Sequence, residues 1–194
     1  MKRKLFSLMS GLLLTAALSA QFNSGSVYFT GMTNFHFGFE SEEGYNYFLL
    51  GLNTEGGYFL QNRLALGGSV FTEAQLGLND FAESSLDIFL GPSARYYLAR
   101  DEEPQIYLYG MAGYGIERSG YDMYYTTHQK LGFIVGPGCN YFLNEHIALD
   151  ARLTYMYQYL WNAAGGGHHS RHRLFFEAGI SIFFPTLTFY RKPE

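Results

Sequence analysis

The chain has 194 residues, a formal net charge of −4 and a single cysteine. This length suits one domain, the acidic balance argues against general nucleic-acid binding, which needs a basic face, and one cysteine excludes an internal disulfide. The composition is rich in Phe (18), Tyr (17) and Gly (23), which favours strands and tight packing over long helices.

The first twenty residues have the pattern of a secretory signal peptide. Residues 2–4 are basic, residues 5–18 are apolar, and small residues surround Ala20, which suits cleavage at that point. The alternative is a retained N-terminal membrane helix. The apolar stretch is short for a span of the bilayer, so we predict a cleaved signal peptide over residues 1–20.

Eight later segments alternate apolar and polar residues with period two, the pattern of a strand with one apolar face. In chain order the segments cover 27–37, 48–60, 64–76, 86–98, 106–116, 131–143, 148–161 and 174–184. In the seventh, Leu149 and Leu153 lie on one face, and Asp150 and Arg152 on the other. One such segment is weak evidence for a membrane strand, but eight in succession are strong evidence.

The connections between these segments alternate in length. The short turns are 61–63, 100–105 and 144–146, and the longer loops are 38–45, 77–84, 118–127 and 162–171. Short turns on one side and longer loops on the other are typical of an outer-membrane barrel. Pro92 and Pro137 interrupt the fourth and sixth segments. We interpret them as bulges, because proline cannot donate a ladder hydrogen bond.

The apolar faces require a closed sheet. They can lie in hydrocarbon only if every backbone polar group is paired, which a barrel achieves and an open sheet does not. We therefore predict an all-β fold, an eight-stranded antiparallel up-and-down transmembrane β-barrel with its charged residues inside. An interior of about eight strands is just wide enough to be filled by side chains, so a wide aqueous pore is not expected.

The inward charges form a predicted lumen network. They must pair largely with one another, because an unpaired buried charge costs several kcal/mol. Counted from the short-turn end, the members of the lower layer are Glu55, Arg95, Asp150, Arg152 and Glu177. The members of the upper layer are Glu73, Asp87, Glu117, Lys130 and Arg173.

The strand and loop rhythm and the last strand resemble those of the small OmpA-type and OmpX-type outer-membrane barrels. The insertion signal of that family is a polar residue, a Gly two later and two apolar or aromatic residues, and it looks like Glu177, Gly179, Ile182 and Phe184. The resemblance implies a barrel over 21–184 in the bacterial outer membrane, in contact with outer-membrane lipid and the barrel-insertion machinery. The short periplasmic tail, 185–194, departs from the family pattern and is too short for a peptidoglycan-binding domain.

The leading functional hypothesis is a monomeric structural or surface barrel without cofactor or catalytic role. Its salt-bridged lumen is filled, and its loops are displayed for adhesion or envelope integrity, where they would meet any extracellular ligand. One alternative is a narrow pore gated by the lumen charges, and single-channel recording separates the two.

Two further alternatives concern the tract at 168–172. Lipid A deacylases of similar barrel shape use a His and a Ser two apart, and His168 and Ser170 have that spacing. No acid stands at a convincing position to orient the His, so a solvated loop is the favoured interpretation. His168, His169 and His172 are a compositional hint of metal binding, but their spacing is not that of a closed zinc site, and we predict no metal.

Overall fold

The computed structural model describes residues 24–40, 45–77, 84–98, 103–121, 124–162 and 167–185. The predicted signal peptide lies outside these ranges, as does the tail beyond Pro185. The eight strands are β1 (Val27–Glu40), β2 (Tyr45–Gln61), β3 (Leu64–Gly77), β4 (Ser84–Tyr97), β5 (Gln105–Tyr121), β6 (Tyr124–Phe142), β7 (Ile147–Asn162) and β8 (His168–Phe184). In these ranges no helix is long and apolar enough to cross a membrane.

The strands form a closed barrel in which each strand pairs antiparallel with its neighbour in sequence and β1 pairs with β8. This confirms the predicted all-β, eight-stranded up-and-down architecture. The closing pair is the shortest. β1 and β8 pair only from Val27–Phe184 to Thr33–Ala178, although both strands continue well past that point.

Alternation along each strand separates a lipid face from a packed interior. On β7, Leu153 is 47% exposed to the surroundings of the barrel, whereas the neighbouring Arg152 is 1% exposed. Successive strand side chains point to opposite faces, so the apolar half of each strand contacts acyl chains and the polar half fills the lumen. The two faces of the seventh predicted segment are found as predicted.

The strands are longer on the long-loop side than the sequence pattern indicated. β5 and β6 together run through most of 118–127, and β8 begins at His168, inside the predicted loop 162–171. Those loop predictions were wrong because a hairpin outside the hydrocarbon keeps its ladder of hydrogen bonds without needing an apolar outer face. The period-two signal therefore ends before the strands do.

The two prolines do not form bulges. The pairing register is the same before and after Pro92 in the β4–β5 ladder, and before and after Pro137 in the β6–β7 ladder. Each proline therefore interrupts a ladder without inserting a residue, because it lacks the N–H donor. In the described strands a register shift occurs instead between Phe59 and Gln61, where β2 enters its short turn.

Candidate functional site

An aromatic layer fills the end of the barrel nearest the short turns. Its rings touch in tilted and edge contacts: the centroids of Phe59 and Tyr97 lie 5.8 Å apart, those of Tyr97 and Tyr107 5.4 Å, and those of Phe142 and Phe183 5.1 Å. All of these rings are buried. Such bulk closes this end of the lumen.

Directly above the aromatic layer lies a chain of ion pairs, the lower cluster. Arg95 contacts Glu55 (Nη2 to Oε2, 2.7 Å) and Asp150 (Nη1 to Oδ2, 2.9 Å). Arg152 contacts Glu177 (Nε to Oε2, 2.8 Å) and, at 3.4 Å, the same Glu55 oxygen. Asp150 and Arg152, although two apart on one strand face, thus find their main partners on other strands, and the cluster ties five strands together.

The lower cluster has three carboxylates and two guanidinium groups, and neutral donors complete it. The hydroxyl of Tyr28 donates to Glu55 and that of Tyr107 to Asp150, each at 2.5 Å. The same two rings flank Arg95, with its guanidinium carbon 4.7 Å from each centroid, a cation–π arrangement. Further donors to these carboxylates are Asn53, Ser93, Thr154 and Ser181. Buried charge of this kind is stable only when its hydrogen-bonding capacity is used.

A second set of ion pairs, the upper cluster, lies toward the long-loop side. Its members are Glu73, Asp87, Glu117, Lys130, Arg171 and Arg173. Lys130 is fully buried, pairs with Asp87 and lies 3.9 Å from Glu117. Arg173 pairs with Glu73 and lies 3.6 Å from Asp87. The three acids and three bases balance.

Arg171 is the member of the upper cluster that was not predicted. It grips Glu117 with two hydrogen bonds of 2.7 and 2.9 Å, a bidentate geometry that guanidinium groups favour. It was placed in a loop because the apolar alternation of β8 ends near Leu174. Extending the inward register from Arg173 by two residues would have found it. The structure places all ten predicted lumen residues inside the barrel and separates them into the two predicted layers.

The residues of the predicted insertion signal lie on both faces of β8. Glu177 points inward to Arg152, whereas Ile182 and Phe184 are exposed on the lipid face. Gly179 packs against the backbone of β1, where an added Cβ would overlap Gly31. The signal thus coincides with the pairing that closes the barrel, and its role in insertion remains a prediction.

The tract at 168–172 lies in strand β8 and not in a loop. His168, Ser170 and His172 are exposed, and the His172 Nδ1 lies 2.6 Å from the hydroxyl of Tyr155. Among the described residues, neither His168 nor Ser170 is hydrogen-bonded to a carboxylate, and no three His, Cys, Asp or Glu side chains are grouped closely enough to hold a metal ion. No described contact supports a hydrolytic dyad here.

The chain matches the family described as an outer membrane protein beta-barrel domain over residues 5–169. No curated protein matches it. Solved structures with the same fold include the N-terminal β-barrel domain of OprF from Pseudomonas aeruginosa, which is 13% identical with a TM-score of 0.51, over 83% of this chain and 98% of that chain.

Two other solved structures are similar to the same extent. Neisserial surface protein A is 18% identical with a TM-score of 0.50, over 83% of this chain and 98% of that chain. Ail, the attachment invasion locus protein of Yersinia pestis, is 14% identical with a TM-score of 0.50, over 83% and 99% of the two chains. At these identities the likeness shows the fold alone. The family match, together with the closed barrel and its apolar outer face, shows that the chain belongs to the outer membrane protein beta-barrel domain family and is a barrel of the bacterial outer membrane.

Proposed function

We propose that this protein is a closed anchoring barrel that presents the β5–β6 hairpin outside the cell for adhesion. The observation that carries the proposal is the length of that hairpin. A strand needs about 9–11 residues to cross a bilayer, whereas β5 has 17 and β6 has 19. The additional residues lie on the long-loop side, which faces the outside of the cell in barrels of this type.

The outer surface of the hairpin shows where the hydrocarbon ends. Along β5 the last apolar side chain on the lipid face is Ile116, and the next outward residue is Arg118. The ladder nevertheless continues to the pair Tyr121–Tyr124. At about 3.4 Å per residue, the five residues after Ile116 extend roughly 17 Å, enough to rise beyond the lipid headgroups.

The hairpin end is also chemically suited to contact. Residues 120–125 read Gly-Tyr-Asp-Met-Tyr-Tyr, and tyrosine is enriched at protein interfaces because it offers a large amphipathic surface at a low entropic cost. A barrel whose interior is packed with ion pairs and rings provides a rigid base for such a display. A monomer suffices for this role, because the barrel closes on itself.

Trimming the hairpin tests the proposal against a role in envelope integrity. We expect cells in which residues 119–126 are replaced by a Gly-Ser turn to lose most of their adhesion to epithelial monolayers, with unchanged resistance to detergent. The matched control replaces residues 78–83 between β3 and β4. Equal adhesion by the two variants would contradict the proposal, as would loss of adhesion only when detergent resistance is also lost.

A second prediction separates this function from a gated pore. The purified protein in a planar bilayer is expected to stay silent across ±200 mV (a test range chosen to be on the order of several resting potentials), because three successive layers of buried side chains fill the lumen. A gel-mobility shift between heated and unheated samples verifies that the protein is folded, and a wide porin verifies the recording. Discrete, voltage-dependent openings would favour the pore.

A further inference from the structure

The closing seam of the barrel separates above its lower half. Beyond the Thr33–Ala178 pair, β1 continues to Glu40 paired only with β2, and β8 runs back to His168 paired only with β7. Each of the other neighbouring strands keeps its ladder over most of its length. The barrel wall therefore has a lateral gap between β1 and β8.

A cavity of about 780 Å³ occupies this gap. Side chains from both faces of the wall line it. Asn34, Leu49, Glu73, Arg173 and Phe175 come from the interior, and Thr33, Leu174, Phe176 and Ala178 come from the lipid face. Because residues of both faces contribute, the cavity joins the upper lumen to the membrane. Its volume lies within the range of about 300–1,000 Å³ that is usual for a single small ligand.

The inner end of the cavity offers an unused acceptor and an unused donor. Asn34 is 8% exposed, and its Oδ1 has no hydrogen-bond partner among the described residues. The Nε of Arg173 is buried and is likewise unpartnered within the described ranges, although the rest of its guanidinium pairs with Glu73. Buried polar atoms are normally satisfied, so this pair marks a place for a group that both donates and accepts.

The outer end of the cavity is apolar and faces lipid. Leu174 is 69% exposed and Phe176 is 62% exposed, more than any other large apolar side chain in the described part of the chain. Both stand on the unpaired stretch of β8, where no neighbouring strand covers them. An alkyl chain lying here would cover these two side chains and keep its far end in the outer leaflet.

We propose that the β1–β8 gap is a binding site for a single-chain amphiphile with a neutral hydroxyl head, such as a long-chain alcohol, entering sideways from the outer leaflet. The hydroxyl would donate to Asn34 and accept from the Nε of Arg173. A neutral head is favoured over a carboxylate because the three acids and three bases of the upper cluster already balance. A further anion beside Glu73 would lie uncompensated in a buried site.

Quenching by a brominated probe tests the site in lipid nanodiscs. The sole tryptophan, Trp161, is replaced by Phe, and a reporter is introduced either at the seam, Leu174→Trp, or on the far side of the barrel, Ile116→Trp. The probe is dodecan-1-ol brominated at its far end. We expect saturable quenching of the seam reporter, added to the linear quenching that partition into lipid gives at both positions.

Two variants examine the walls and the head of the site. Ala178→Phe narrows the gap and should abolish saturation, while its matched control Ala112→Phe, on the lipid face of β5, should leave it unchanged. Asn34→Leu should weaken the alcohol about tenfold, the effect of losing one hydrogen bond in a buried site. The brominated alkane and the brominated carboxylate should each bind at least about tenfold more weakly than the alcohol.

The outcomes are decisive in both directions. Linear quenching of equal strength at both reporters, or saturation that survives Ala178→Phe, would overturn the site. Equal affinity for the carboxylate would overturn the assignment of a neutral head. A gel-mobility shift on every variant confirms that the barrel is folded, so a loss of saturation cannot be attributed to misfolding.

Discussion

Replacing Arg95 with methionine is expected to lower the free energy of unfolding by about 3–5 kcal/mol, the cost of leaving a buried ion without its partner. Arg95 is fully buried and pairs with Glu55 and Asp150 at once. Methionine fills similar space but leaves Asp150 without a basic partner in the lower cluster. Urea titration in lipid vesicles, followed through the fluorescence of Trp161, measures the change.

The control for this substitution is Arg63→Met in the exposed turn between β2 and β3. It removes the same charge at the surface and should change stability by less than about 0.5 kcal/mol. Adding Glu55→Gln and Asp150→Asn to Arg95→Met should recover most of the loss, because no unpaired charge then remains near the site. A small effect of Arg95→Met alone would show that the cluster is hydrated and not a packed core.

The substitution Gly138→Ala is expected to destabilise the barrel by about 1–3 kcal/mol, as overpacking of a filled core does. The ring of Tyr107 lies directly on Gly138, where an added Cβ would overlap its outer ring atoms. A shift of that ring would disturb both the hydrogen bond from Tyr107 to Asp150 and its stacking on Arg95. The same urea titration measures the loss.

Gly110→Ala is the matched control, since its nearest neighbour is a Val135 methyl group 4.0 Å away. The substitution removes the same strand glycine without a clash and should leave stability nearly unchanged. In a Tyr107→Ala background the cost of Gly138→Ala should largely vanish, because coupled residues give non-additive effects. An additive result in that background would place the cause in the backbone and not in the ring.

Most of the fold could be predicted from sequence because a membrane barrel states its structure in a two-residue period. Alternation along β7 placed Asp150 and Arg152 inside and Leu153 outside, as the structure has them. The strand ends were missed at Tyr121 and His168, because outside the hydrocarbon the outer face need not be apolar. Arg171 was missed for the same reason.

The sequence by itself determined that the chain forms a closed barrel with its charges inside, because hydrocarbon outside and paired backbone groups within the wall admit no other arrangement of such strands. It also ordered the charges by height, since height follows from distance along the strand. Only the tertiary structure decided which charges meet. Arg95 reaches Glu55 and Asp150 across the lumen, and such contacts depend on the stagger between strands, which no local pattern encodes. The gap between β1 and β8 is of the same kind, because it arises where the first and last strands meet.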